Sequence, residues 1–228
     1  MDFVTEAEDK HIYPVPRIRS RTGMVASDGR IDEGQWEISV PAPDRTRVLI
    51  LAECPSPGLL PVFMAGRSFD EESTRRMVFA AAEPGRLLAR IDHFLMEMGD
   101  ARRMEKVGHL VKLFHHGHLI YLCKEPTADR VPTGRFTSPS VRDEVDSLLR
   151  SGVGNVVALG EATQRWFRSN YPMEGLTLIS LPTPSNHISD WFPSFLERMN
   201  RERGADTLMV REAMAAQIDV LVAACSRL

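Results

Sequence analysis

The sequence predicts an α/β protein, a three-layer α/β/α sandwich built on a central, mainly parallel sheet of four strands. Four short apolar runs, at residues 48–51, 118–123, 155–160 and 176–181, each end in turn-forming residues and indicate buried strands. Stretches with helical spacing of apolar residues separate them, which favours βα repeats with right-handed crossovers. The runs do not alternate with polar residues, as expected for strands that helices cover on both faces.

Length and composition are consistent with one large domain. The 228 residues are enough to bury most of the apolar side chains, which make up 43% of the chain. We assign residues 47–228 to this domain. Residues 1–46 contain four prolines and are expected to form an extended arm that packs on the domain without a core of its own. The arm has one plausible strand, at residues 36–40.

Charge gives little indication of a partner. The formal net charge of −3 produces no global attraction to nucleic acid, so DNA binding would depend on a local basic face. The arm carries a basic cluster at Arg17, Arg19 and Arg21. A solvated charge run is favoured there over a phosphate contact.

The cysteines and the hydropathy pattern indicate a location. Cys54, Cys123 and Cys225 are too few and too scattered for a disulfide framework or a four-cysteine metal or iron–sulfur site, which indicates a reducing compartment. No apolar run approaches the roughly 20 residues that span a bilayer. The acidic N-terminal residues lack the basic-then-apolar layout of a secretory signal. We therefore expect a cytoplasmic protein with no membrane partner, no metal and no cofactor.

Helical spacing predicts helices between the strands and after the last one. They cover residues 71–82, 86–98, 101–114, 161–169, a stretch that begins at Ser138 or Ser140, and two helices within 191–228 that part near Gly204. Asp70 is expected to cap the first of these, and Pro84 with Gly85 to break it. Three methionines close to the second helix are expected to fill the core rather than to form a binding surface. They are Met96, Met98 and Met104.

A histidine run invites a metal interpretation. His115, His116 and His118 lie within four residues, and His109 precedes them. Their spacing fits no defined ligand set. A turn or a helix C-terminus is therefore favoured over a metal site.

The strongest functional signal is the segment at residues 47–58, where the first strand ends in Glu53 and a Pro-Ser-Pro-Gly turn. Ligands of open α/β sheets bind at the carboxyl ends of the strands. The loop at 124–130, Gly160 and the loop at 183–186 follow the other three strands, so all four are expected at one cleft. Glu53 is the first candidate for chemistry, with an N-cap or an arginine-paired loop carboxylate as the alternative.

This order of motifs resembles the uracil-DNA glycosylase superfamily. The family has a first motif of the type G-E-x-P-G after strand one and a second of the type H-P-S-x after the last strand. Here "AECPSPG" at 52–58 is similar to the first motif and "TPSN" at 183–186 to the second. Between them, "CKEPTADRVPT" and "VVALGEAT" look like the family's intervening loop and strand-to-helix junction. The similarity covers roughly residues 47–200.

The resemblance implies a function and a set of site residues. It implies metal-free hydrolysis of the N-glycosidic bond of a flipped, uracil-type base in single-stranded or mismatched DNA. The implied catalytic residues are Glu53, Thr183 and His187. The implied base-binding residues are Cys54, Pro55, Ser56, Gly58, Tyr121 and Lys124, with backbone amides of the Pro-Ser-Pro-Gly turn held near the base. The implied DNA contacts are Arg130, Arg135, Pro184, Ser185 and Asn186.

Several of these positions have simpler interpretations. Cys54 stands where the family often has Asp or Asn, and Thr183 where it has the histidine that donates to the base oxygen. His187 substitutes for that histidine only if its loop folds back. The two loop arginines could be solvated charges, and Ser185 and Asn186 could be turn formers.

Two other functional classes remain open. The same fold could bind DNA or a nucleotide without chemistry, as expected for a member that has lost the histidine of the second motif. A generic α/β hydrolase or nucleotide-binding protein is the third class. The chain has no G-x-S-x-G elbow, no G-x-x-x-x-G-K-[ST] loop and no G-x-G-x-x-G fingerprint after a strand, so that class lacks its signatures.

Overall fold

The computed structural model describes residues 17–20, 36–39, 46–56, 59, 62, 73, 81–125, 137–183 and 207–225. In the arm, strands β1 (Arg17–Ser20) and β2 (Trp36–Ser39) pair antiparallel in a small sheet of their own. The second strand was expected from the sequence. The first was not, because the basic cluster that it contains has no apolar run.

Four parallel strands form the main sheet. They are β3 (Val48–Ala52), β4 (Gly117–Tyr121), β5 (Asn155–Leu159) and β6 (Thr177–Leu181). Their order is β4-β3-β5-β6, so the first strand of the chain's main sheet lies in its interior. Ala52 pairs with Tyr121, and Leu159 pairs with Leu181.

Among the described residues, five complete helices cover the sheet. They are α1 (Glu83–Glu97), α2 (Arg103–His116), α3 (Ser140–Arg150), α4 (Glu161–Asn170) and α5 (Thr207–Cys225). Side chains of α1, α2 and α5 share one buried cluster with one face of the sheet, and side chains of α3 and α4 share a second cluster with the other face. The predicted three-layer α/β/α fold is confirmed.

The central strand shows why an unbroken apolar run was required. Successive side chains of a strand point to opposite faces. Val48, Ile50 and Ala52 belong to the first cluster, while Leu49 and Leu51 belong to the second. All five are at most 1% exposed, because helices pack on both sides.

The order of the strands defines a switch point. From β3 the chain moves to β4 on one side through α1 and α2, and from β4 it returns past β3 to β5 through α3 on the opposite face. The loops after β3 and β5 therefore leave two adjacent strands in opposite directions. Crevices at this position are the usual ligand sites of open α/β sheets.

Some local expectations are corrected. The helix expected at 86–98 begins at Glu83, because Pro84 occupies its first turn, where the missing amide hydrogen is not needed. Neither Ser138 nor Ser140 caps α3. Its N-cap is Pro139, without a side-chain hydrogen bond, because both hydroxyl groups are directed to Lys124.

The expectation that three methionines fill the core is wrong. Met96, Met98 and Met104 are all exposed, since they lie at the end of α1 and the start of α2, away from the sheet.

His115 and His116 end α2, in agreement with the prediction of a helix C-terminus. The helix expected at 71–82 and the first of the two at 191–228 lie largely outside the described residues.

Within the part of the chain that the structure describes, no helix is long and apolar enough to cross a membrane. In the same residues, no group of three or more His, Cys, Asp or Glu side chains is arranged to hold a metal ion.

Candidate functional site

The carboxyl ends of β3, β4, β5 and β6 lie at one edge of the sheet, which we call the carboxyl edge. Strand pairing continues into the loops there. Leu122 donates its backbone N–H to Ala52 at 2.9 Å, and Cys123 donates to Glu53 at 2.8 Å. On the other side, Gly160 donates to Leu181 at 2.7 Å. These bonds hold the start of each loop beside its neighbour.

Glu53 and Cys54 leave β3 at the switch point. Both are half-buried, and Pro55 behind them is buried. The backbone of Glu53 is fixed because its carbonyl accepts the Cys123 hydrogen bond. A residue with a carboxyl group and one with a thiol therefore follow each other at the position where a ligand of such a sheet is expected.

A buried carboxyl group that sequence reasoning missed lies beneath this turn. Glu83 is the first residue of α1 and is 4% exposed. Its Oε2 accepts a hydrogen bond from the hydroxyl group of Tyr121, and its Oε1 accepts one from the backbone N–H of Ser56 at 3.3 Å. We call this pair of hydrogen bonds to Glu83 the Glu83 bridge.

The pKa values of both ionisable groups in the bridge are raised. Burial raises the pKa of Glu83 above its usual value of 4.5, while the hydrogen bond from Tyr121 and the charge of Arg86 act in the opposite direction. Burial also raises the pKa of Tyr121 well above its usual value of 10.0, and Glu83 and Cys54 raise it further. Tyr121 therefore remains protonated at neutral pH and serves as a donor.

Two residues that were expected to contact the base take part in the Glu83 bridge. Tyr121 is 2% exposed and lies in the core cluster beneath α1, with its hydroxyl group committed to Glu83. The Ser56 amide points to Glu83 instead of toward a ligand, and Pro55 has no amide hydrogen. The two hydrogen bonds connect the turn after β3 and the end of β4 to the first turn of α1.

The signal for Glu83 was present in the sequence. Pro84 and Gly85, which follow Glu83, are expected from the sequence to break a helix. Proline in the first turn together with an acidic residue is equally typical of a helix N-terminus, where a carboxylate is stabilised by the helix dipole. Its partners could not be read from the sequence, because Ser56 and Tyr121 lie 27 and 38 residues away.

Lys124 lies in a separate network on the other face. Its ammonium group is bound by the Glu144 carboxylate and by the Ser140 hydroxyl group at 2.8 Å, and its backbone N–H donates to the Ser138 hydroxyl at 3.2 Å. The side chain is 13% exposed. Lys124 therefore ties the loop after β4 to α3 and does not meet Tyr121, with which it was grouped.

Thr183 lies beside Gly160. Gly160 has φ +91°, and a Cβ atom there would collide with the Thr183 hydroxyl oxygen. The loops after β5 and β6 are thus in direct contact. The junction of β5 with α4 is further fixed by Thr163, whose hydroxyl group donates to the carbonyls of Leu159 at 2.6 Å and Gly160 at 2.7 Å.

The structure brings some of the expected residues together and leaves others unplaced. Glu53, Cys54, Pro55 and Ser56 form one turn above the Glu83 bridge, and Thr183 lies at the same edge beyond β5. Seven expected site residues lie outside the described residues. They are Gly58, Arg130, Arg135, Pro184, Ser185, Asn186 and His187.

Comparison of the chain with protein-family models, with curated proteins and with solved structures gives no match. The functional interpretation therefore depends on the sequence pattern and on the geometry of the carboxyl edge.

Proposed function

We propose that the protein is a divergent glycosylase related to the uracil-DNA glycosylase superfamily. It hydrolyses the N-glycosidic bond of a flipped, uracil-type base in single-stranded or mismatched DNA without a metal. One observation carries the proposal. The described parts of the two motif-like segments, residues 52–56 and Thr183, follow strands of one parallel sheet and lie at its carboxyl edge, on either side of β5.

The chemistry assigns a role to each side of this edge. The oxygen of a water molecule bonds to the anomeric carbon of the sugar, the bond to the base nitrogen breaks, and the base leaves with the electron pair. Glu53 orients the water and accepts its proton. Thr183 donates a hydrogen bond to the base oxygen on which negative charge develops. His187 is a second candidate for that donation.

DNA is the proposed partner, held through its backbone by the two loops that carry the remaining site residues. Arg130 and Arg135 would neutralise phosphates, and the segment at 184–186 would press on the phosphate beside the flipped nucleotide. A cytoplasmic location is part of the same proposal. It is supported by the absence of disulfides at Cys54, Cys123 and Cys225.

An abasic-site assay tests the proposed activity. Excess protein is incubated with an end-labelled single strand that contains one uracil, and abasic product is revealed by alkaline cleavage. The unmodified protein is expected to give product and Glu53→Ala none. Glu174→Gln, which changes an exposed carboxylate in the turn before β6, is the matched control and is expected to remain active. No product from uracil, hypoxanthine or other deaminated bases contradicts the proposal.

A second candidate is a module of the same fold that binds DNA or nucleotides without hydrolysis. The observation in its favour is Thr183, a short neutral donor, packed against Gly160 at the position where the family has an imidazole. This function predicts salt-dependent DNA binding that survives Glu53→Ala and yields no abasic product. Fluorescence anisotropy with the same labelled strand at two salt concentrations measures the binding, and the abasic-site assay distinguishes the two candidates.

A further inference from the structure

We propose that Glu83 is the positioning residue of the candidate site. Its carboxyl group holds the turn at residues 53–56 against β4 and α1, and so fixes the location of Glu53 and Cys54. The effect on the turn can be tested without any substrate. Only its consequence for base excision rests on the proposed function.

The first argument is the connectivity of the Glu83 bridge. Ser56 belongs to the turn after β3, Glu83 to the first turn of α1, and Tyr121 to the end of β4. A single carboxyl group therefore joins three elements at the carboxyl edge. Ser56 also accepts a hydrogen bond from the backbone N–H of Leu59 at 2.9 Å, so the bridge holds a turn that is already closed on itself.

The second argument is burial. Glu83 is 4% exposed and Tyr121 is 2% exposed, so water cannot easily replace a lost partner. A buried acceptor without a donor has a large cost, whereas an exposed one has little. The turn is therefore expected to remain closed while the bridge is intact. It is expected to open more often when one of the two hydrogen bonds is removed.

The third argument is chemical. Each oxygen of the carboxyl group receives one donor, an arrangement that alanine cannot reproduce. Glutamine keeps both contacts with one of them reversed, because its amide oxygen accepts from the Ser56 N–H while its NH₂ group donates to the Tyr121 oxygen. Glu83→Gln is thus a conservative replacement that keeps the bridge, and Glu83→Ala is one that removes it.

Cys54 provides a reporter inside the turn. It is half-buried, whereas Cys123 and Cys225 are buried. Its rate of alkylation by iodoacetamide, followed at the peptide level by mass spectrometry, measures how often the turn opens. Cys225 lies in α5 within the core, so its alkylation measures global unfolding in the same sample.

The experiment compares four variants with the unmodified full-length protein. Glu83→Ala and Tyr121→Phe are expected to raise the alkylation rate of Cys54 by about tenfold or more, the factor that corresponds to loss of a buried hydrogen bond. The rate for Cys225 is expected to stay low. Glu83→Gln is expected to restore the slow rate at Cys54. Glu161→Ala, which removes an exposed first-turn glutamate at the same edge, is the matched control and is expected to change neither rate.

Two results would overturn the proposal. One is an unchanged Cys54 rate in both Glu83→Ala and Tyr121→Phe. The other is a Cys54 rate no faster than the Cys225 rate in the same variant, which would show that Cys54 reacts only on global unfolding and would assign the bridge to general stability. Because no DNA is present, a positive alkylation result together with no abasic product leaves the positioning role standing and rejects only the proposed glycosylase.

Discussion

Replacement of Tyr121 by phenylalanine removes the hydroxyl group at one end of the Glu83 bridge. The ring stays in place, so the apolar packing against α1 is kept. Glu83 Oε2 then loses its donor in a site that is 4% exposed. Leaving a buried acceptor unpaired costs about 1–3 kcal/mol, and we expect the free energy of unfolding to fall by that amount.

The size of this change makes it measurable. For a protein of this length, about 1 kcal/mol corresponds to a shift of roughly 2–4 °C in the melting temperature. Urea unfolding followed by circular dichroism gives the free energy directly. Tyr171→Phe is the control, because Tyr171 is a partly exposed tyrosine stacked on Phe167 at a ring-centroid distance of 4.9 Å in the other layer. Tyr171→Phe is expected to lower the free energy of unfolding by less than Tyr121→Phe does.

A double-mutant cycle separates the hydrogen bond from other effects. Once Glu83→Ala has removed the acceptor, Tyr121→Phe is expected to cost less than it does alone, with a coupling of roughly 0.5–3 kcal/mol. Additive losses, or a loss for Tyr121→Phe no larger than for Tyr171→Phe, would refute the assignment of the bridge as an energetically important contact.

Two further predictions follow from the described geometry. Burial raises the pKa of Glu83, so the folded protein binds its proton more tightly than the unfolded chain does, and stability is expected to fall as pH rises from 4.5 through the folded pKa. Glu83→Gln should flatten this part of the profile in urea unfolding at a series of pH values, and an unchanged slope contradicts the shift. Gly160→Ala places a Cβ atom at φ +91° and against the Thr183 hydroxyl oxygen, so it is expected to cost more than about 1 kcal/mol. Adding Thr183→Ala should recover part of that loss, since it removes the colliding oxygen. Equal stability of the single and double variants in thermal unfolding would count against the contact.

The fold could be predicted because its signals are local. β3 is buried on both faces, so every one of its five positions has to be apolar, and such a run is visible in the sequence. Short apolar runs of the same kind allowed β4, β5 and β6 to be predicted. Placing Glu53 at the end of β3 and Thr183 beyond β6 required only the rule that parallel strands end at a common edge.

The hydrogen bonds between the site residues could not be predicted, because they join residues that are distant in the sequence. Whether Tyr121 faces a ligand or a buried carboxyl group is decided by α1, which begins 38 residues earlier in the chain. The Ser140 hydroxyl was interpreted as a possible cap, yet it binds the ammonium group of Lys124. Met104 was expected in the core and is 66% exposed, because helical spacing alone does not tell where α2 leaves the sheet.

The central claim is that the carboxyl edge near Glu53 excises a base. The most direct test measures release of free uracil in a single turnover, with protein in excess over a strand that contains one isotopically labelled uracil and with mass spectrometry as the detector. Labelled free uracil is expected from the unmodified protein, none after Glu53→Ala, and no free thymine from the matched thymine strand. Release that is equal for the unmodified protein and Glu53→Ala, or no release from either, would contradict it.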